Sequence, residues 1–373
     1  MKKLLNGIAV LVLGGIALVL WVPLLPLPVQ EPLVRLLATA RSIWTLDPAK
    51  ETSPPPPGVS GTGASRTLGG GQLLTGPELD ELRIFALDLI NRDRADHGLP
   101  PVAMGSNPAA QLHAEDMLEH EYLGHWWVDG HKPYMVYTQT GGTSYAAENA
   151  AFDGWTSQRW RQSRCDALLV SCALPVPDVA VREAEWGMMY DDAHADWGHR
   201  DNILRETHRA VSLGIAWNGR LVTFTQHFEG GDVEGSGLGL TSAGVLSLSL
   251  RKRVPGIEIA NVVSVYYDPT PVARSPAEIG TLDRYCVGGG FTTECVEPAI
   301  RVLAPPGAGR FYPDLGAGEV VASGWSETAL GFELRADLGA LAREPGVYTV
   351  QVWRDSGRST LTEPLLQLSA FQP

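Results

Sequence analysis

The sequence predicts an α+β fold followed by an all-β region. Three observations carry this: amphipathic helical segments between residues 76 and 192, a strand pair around Asn218-Gly219, and a change to alternating, β-branched texture after Gly230. For the first helix, Thr75-Gly-Pro-Glu78 reads as a capping box with Pro inside the first turn. Leu79, Leu82, Phe85, Ala86, Leu89 and Ile90 then recur at helical spacing until His97-Gly98 and Pro100 stop the pattern. A second helix is expected from Asn107-Pro108 to about Tyr122, and a third from Asp178 to about Asp192. Ala210–Trp217 and Arg220–Phe228 flank Asn218-Gly219, a pair suited to a type I′ hairpin turn, in which both central residues take positive φ. Beyond it, Val245–Leu250 alternates Leu with Ser, Asn261–Tyr267 is β-branched and aromatic, and Val347–Trp353 follows Pro345-Gly346 with period two. These runs predict a β-sandwich over residues 233–373.

Ahead of this region, Lys2 and Lys3 precede an uncharged run, Leu4–Val22. Residues 1–30 therefore read as a membrane anchor, with a cleaved signal as the alternative; Ala38-Thr39-Ala40 is the only small-residue site nearby. Residues 31–73 read as a tether, since Pro54–Pro57 and Gly69–Gly71 cannot build a core. Residues 74–232 and 233–373 are expected to be the two folded parts. Positive charge before the span places the bulk of the chain outside the cytoplasm, anchored to the membrane or secreted. A formal charge of −13 argues against a nucleic-acid partner. The four cysteines fall in two near pairs, Cys165 with Cys172 and Cys286 with Cys295, neither with zinc-finger spacing. In an oxidising compartment local disulfides are expected, although three pairings are formally open.

The polar residues with candidate chemistry lie between residues 120 and 230. His125 ends Glu121-Tyr-Leu-Gly-His125, Glu148 and Asn149 sit in Tyr145-Ala-Ala-Glu-Asn-Ala-Ala151, and His199 opens Gly198-His-Arg-Asp-Asn-Ile-Leu204. Each alone has a bland reading as a cap or a structural hydrogen-bonder. Taken in order, with the Gly214-Ile215 strand and Phe224-Thr-Gln226, they resemble the CAP domain, the family of cysteine-rich secretory proteins, venom antigens and pathogenesis-related proteins, in its bacterial form. The resemblance spans about Leu74 to Gly230 and implies an α-β-α sandwich. It also implies a surface cleft in which two histidines face two acids. His125, Glu148 and His199 match, with Ala147 where the family usually has Gly, and Asn149 beside them is a further ligand-binding candidate. For the second acid Glu185 is preferred and Asp192 is next, because residues seven apart share a helix face.

Grouped imidazoles and carboxylates change protonation, hydrogen bonding and metal affinity near neutral pH. Two His and a carboxylate, here His125, His199 and Glu148, also form the donor set of an open site for Zn2+ or another divalent cation. His120-Glu121-Tyr-Leu-Gly-His125 misses the H-E-x-x-H motif, since i,i+5 spacing sets the two His about 140° apart on a helix. Neither a G-x-S-x-G elbow nor a phosphate-binding P-loop is present. Trp126, Trp127, Trp155, Trp160, Trp186 and Trp197 cluster nearby, mostly as expected packing, with a few available to line a groove. The first expectation is a binding module for a lipid-like, peptide or cell-envelope ligand. A metal-dependent hydrolase of peptides or envelope polymers comes second, and a structural or adhesive protein third. The resemblance implies no agreed reaction.

Overall fold

The computed structural model describes residues 74, 76–167, 172–307, 314–357, 361 and 363–373, all within Thr62–Pro373. The expected span Leu4–Val22, the Ala38-Thr39-Ala40 site, the whole tether and the capping Thr75 lie outside the described residues. Among the described residues no helix is long and apolar enough to cross a membrane. On that finding the anchored, extracytoplasmic placement is withdrawn.

The first layered part holds helices α1 (Gly76–Asp96), α2 (Ala109–His120), α3 (Pro133–Gln139), α4 (Ser157–Gln162), α5 (Pro177–Tyr190) and α6 (Gly198–Ile203). They surround strands β1 (Ala103–Met104), β2 (Ala146–Gly154), β3 (Ala210–Trp217) and β4 (Leu221–Glu229), in the spatial order β1-β3-β4-β2. Period two sorts the strand residues between the faces. Val211, Leu213 and Ile215 of β3, with Phe224 and Phe228 of β4, pack against Ala86 and Ile90 of α1 and Val181, Met188 and Met189 of α5. The opposite face receives α2, where Thr225 Oγ1 donates to Ala110 O at 2.7 Å and Thr223 Oγ1 to Ala114 O at 2.6 Å. Gly214 makes this approach possible, because a Cβ there would lie 2.1 Å from Ala110 O. The result is α-β-α layering with β2 as an edge strand.

Two boundaries and one turn differ from expectation. α2 stops at His120 because Glu121 takes a left-handed conformation, φ 55°, and returns its N–H to Met117 O. α5 stops at Tyr190, two residues short of Asp192. The hairpin has four residues between the paired Trp217 and Val222, with only Gly219 at positive φ (88°) among Asn218 and Gly219. The Asn218 side chain, instead of taking up the second I′ position, accepts hydrogen bonds from the Arg220 and Leu221 amides.

The strand-rich part follows with β5 (Val233–Leu240), β6 (Val245–Lys252), β7 (Ile259–Pro269), a short α7 (Pro276–Ile279), β8 (Ile300–Leu303), β9 (Glu319–Val321), β10 (Gly324–Glu327), β11 (Gly331–Asp337), β12 (Gly346–Arg354) and β13 (Pro364–Gln372). Its sheets, ordered β10-β11-β6-β5 and β13-β12-β7-β8-β9, share one core. The Leu-Ser alternation of β6 is explained: Leu246, Leu248 and Leu250 face Val263, Val265, Val350, Val352 and Leu366, while the serines face outward. Both cysteine pairs are the local disulfides expected, Cys165–Cys172 and Cys286–Cys295.

The two parts share buried contacts. Tyr134 and Met135 of α3 pack on Val347 of β12, and Ile279 of α7 joins Met117 and Trp126. At the centre of this junction is Lys132, 1% exposed, whose Nζ donates to Asp268 Oδ1 at 2.9 Å and to the carbonyls of Cys286 and Gly288 at 2.8 Å each.

Candidate functional site

Glu148 lies on the edge strand β2, in register with His227 of β4. Its carboxylate is buried and accepts three imidazole hydrogen bonds. His113 Nδ1 and His227 Nε2 each donate to Oε2 at 2.6 Å, and His125 Nδ1 donates to Oε1 at 2.8 Å. His113 stands on the sheet-facing side of α2 and stacks on the Trp127 ring, with centroids 4.9 Å apart. His125 follows the left-handed end of α2, which turns the chain back toward the strand. Burial pushes the Glu148 carboxyl up, but the charge of His113 and the bonds from His113, His125 and His227 outweigh it and hold it well below the usual carboxylate range.

Successive strand residues point to opposite faces, so Asn149 faces α5 and α6 instead. Its Nδ2 bonds His199 O at 3.0 Å and Gln226 Oε1 at 2.9 Å, and its Oδ1 accepts from Asn202 Nδ2 at 2.9 Å. Fully buried, Asn149 ties α6 to β2, so this expected ligand residue uses its amide inside the protein.

His199 is held by Asp192. Its Nδ1 donates to Asp192 Oδ1 at 2.6 Å, while Asp192 Oδ2 accepts from the amides of His199 at 2.9 Å and Arg200 at 3.2 Å. A short turn through Asp196 (φ 54°) and Trp197 (φ 63°) makes this possible. Two consecutive non-glycine residues in that region each cost on the order of 1–3 kcal/mol, the kind of strain found near functional sites. Burial lowers the His199 pKa, Asp192 opposes the shift and His125 adds to it.

The acid preferred from the sequence is thereby corrected: Asp192, not Glu185, partners His199. The seven-residue argument assumed that the helix reaches residue 192, whereas Asp192 lies in the turn beyond it. Glu185 faces the sheet, where Gln226 Nε2 donates to its Oε2 and its Oε1 has no partner. Burial, with Asp93 adding and Gln226 opposing, pushes Glu185 up to about 8. A carboxyl raised in the fold stabilises it fully below its ordinary value of 4.5, an advantage lost as pH rises through 8. Glu185→Gln should abolish a loss of about 1.4 kcal/mol between pH 7 and pH 9, read by urea unfolding at both values. An equal loss in both proteins would show that Glu185 is already ionised at pH 7.

His125, Glu148 and His199 line one cavity of about 550 Å³. The strand-rich part supplies another wall, Tyr285, whose ring meets His125 edge-on at 5.0 Å between centroids. None of the six tryptophans singled out from the sequence lines the cavity, but Trp353 does. The group with metal-ligand spacing also differs from His125, Glu148 and His199. Among the described residues it is His113, Glu148 and His227, whose ligand atoms lie within 4.8 Å of one another. Sequence reasoning missed His113, which breaks the apolar stripe Ala110, Ala114 and Met117, and His227, which shares the period-two face of Thr223 and Thr225.

Residues 87–228 match the CAP family, described as the cysteine-rich secretory protein family. The chain carries a CAP-superfamily domain, followed by a strand-rich region. Among solved structures it is similar to the CAP domain of Enterococcal PrgA, at 14% identity and a TM-score of 0.26, covering 42% of this chain and 63% of that one. No curated protein matches the chain.

Proposed function

We propose that the CAP domain is a ligand-binding module whose cleft presents two pre-oriented imidazoles. One observation carries this reading: His125 and His199 each spend Nδ1 on a buried carboxylate, Glu148 or Asp192, in a shared cavity. That arrangement fixes the tautomer and leaves each Nε2 lone pair available.

A divalent cation such as Zn2+ fits the site chemistry in two ways. His113, Glu148 and His227 have the spacing, but His113 Nε2 and His227 Nδ1 are buried without partners, whereas metal-bound His normally donates its other nitrogen. His125 and His199 have that supporting shell. We therefore assign the ion to His125 and His199, with Glu148 and Asp192 orienting them and the buried pair bracing Glu148. When bound, the ion would act as a Lewis acid toward a ligand oxygen.

Zinc affinity measured by calorimetry should rise with pH, because metal displaces imidazole protons. His199→Ala should weaken it by at least about 10–100-fold, since losing even a partner that only orients a ligand costs that much. If His113→Ala or His227→Ala abolishes binding while His199→Ala leaves it intact, the buried group is the site and the assignment falls. A hydrolase is the second reading, favoured by the His199–Asp192 pair, since a carboxylate-oriented imidazole is also a general base. Zinc-dependent release of fragments from a peptide or polysaccharide would select it.

A further inference from the structure

A second cavity, of about 710 Å³, lies over the outer face of the five-stranded sheet and shares Tyr266 and Trp353 with the first. The two form one groove running from the His125–His199 cleft across the junction onto the sheet. Its floor is built from alternate residues of central strands. Val263 and Val265 of β7 and Val350 and Val352 of β12 enter the core, so Ser264, Tyr266, Gln351 and Trp353 point to the groove side.

Their side chains are pinned. Trp353 Nε1 donates to Ser264 Oγ at 3.0 Å, and Gln351 Nε2 donates to Gln367 Oε1 of β13 at 2.8 Å. Register with both neighbouring strands shifts at Val352–Trp353 on the β13 side and between Val352 and Arg354 on the β7 side. A bulge in a central strand costs ladder bonds and characteristically re-aims one side chain. Here that side chain is the tryptophan at the meeting point of the cavities.

The lining selects among ligand classes. Although the chain carries −13 overall, charges along the groove are mixed: Asp201 lies near Arg205 in sequence, Asp283 adjoins Arg284, and Glu297 pairs with Arg301 at 2.5 Å. Such a surface favours an uncharged ligand. A peptide bound by strand addition needs a free strand edge, whereas this floor is the face of paired central strands. A lipid tail needs a continuous aliphatic channel, whereas here Ala260, Val262 and Leu303 are interrupted by charged Glu297, Arg301 and Asp355 and by the polar side chains of Asn261 and Ser264. Rings that stack on C–H faces, beside amides that bond hydroxyls, suit a sugar polymer.

We infer that this groove binds a linear, uncharged glycan, its chain stacked on Tyr266 and Trp353 and one end lying at the His125–His199 cleft. The inference rests on the cleft being a ligand site, and its test separates the two ideas. Full-length protein is titrated with the hexa- and trisaccharides of three uncharged series: β-1,4-linked N-acetylglucosamine, β-1,4-glucose and α-1,4-glucose. Binding is followed by calorimetry and tryptophan fluorescence. At least one hexasaccharide should bind about tenfold more tightly than its trisaccharide, the increment expected from added stacking contacts. Trp353→Ala and Tyr266→Ala should each remove that increment, while Trp353→Phe keeps most of it and zinc affinity stays unchanged in all three. Unaltered thermal midpoints would show that these outward substitutions leave the fold intact. The glycan is excluded if no hexasaccharide binds at millimolar concentration, or if binding ignores both aromatic substitutions. Zinc binding through His199 with no sugar binding would leave the cleft reading standing alone. Binding of phosphatidylcholine vesicles or a casein digest that depends on Trp353, without sugar binding, would give the groove to a different ligand.

Discussion

Replacing Glu148 by Ala is expected to cost the fold about 4 kcal/mol. Breaking a buried charge network typically costs about 3–5 kcal/mol, because each stranded donor loses water without gaining a partner. Three imidazoles, two of them 0–1% exposed, would be left pointing into the vacated space. Glu148→Gln should cost about half as much: one oxygen can still accept from His113 and His227, and only His125, at the cleft, meets a donor. Urea unfolding at neutral pH reads both variants. The pH dependence has the opposite sign to that of Glu185. A carboxyl held well below 4.5 in the fold stabilises it above that value and loses the contribution as pH falls beneath it. Wild-type protein should lose stability below pH 4.5 more steeply than Glu148→Gln. Parallel acid limbs would show that Glu148 is not ionised in the fold.

The second large effect is at the junction. Lys132 uses all three ammonium donors on Asp268 and two carbonyls of the Cys286–Gly288 segment. Asp268 also accepts from Tyr134 at 2.7 Å and from the Gly290 amide at 3.0 Å. The ammonium lies 5.7 Å from the Trp126 ring centre and 5.8 Å from that of Tyr134. Lys132→Ala leaves Asp268 charged and buried, so a loss of about 3–5 kcal/mol is expected. Lys132→Met combined with Asp268→Asn removes both charges while the amide oxygen can still accept from Tyr134 or Gly290, and should cost less than Lys132→Ala alone. Proteolysis within Val287–Phe291 should accelerate in the single variant, because the two carbonyl anchors of that segment are lost. A single variant no less stable than the double one would mean that the pair does not lock the junction.

Much of the fold could be read locally. The first helix, the strand pair and the Leu-Ser strand follow from periodicity that the structure preserves, since each buries one continuous apolar face. The candidate site was legible only where motif residues are close in sequence. His113, Glu148 and His227 meet through the pairing of β2 with β4 and the packing of α2 on both, long-range facts that no local pattern encodes. The choice of Glu185 over Asp192 failed at a helix end: Asp192 lies in the turn just beyond α5, where its carboxylate reaches the His199 ring, while Glu185 stays on the helix against Gln226. The groove at Tyr266 and Trp353 exists because the CAP domain docks on one end of the five-stranded sheet, and composition gives no sign of docking. Asp268 and Lys132, separated by half the fold, belong to the same category.

In the proposed cleft two imidazoles are held with Nδ1 protonated and Nε2 open. Long-range 1H–15N correlation spectra of the histidine rings, recorded near pH 7.5 before and after adding zinc, test this arrangement most directly. His125 and His199 should be Nδ1–H tautomers and His227 an Nε2–H tautomer, and zinc should shift the Nε2 resonances of His125 and His199. Nε2–H tautomers at both cleft histidines, or a zinc response confined to His113 and His227, would contradict it.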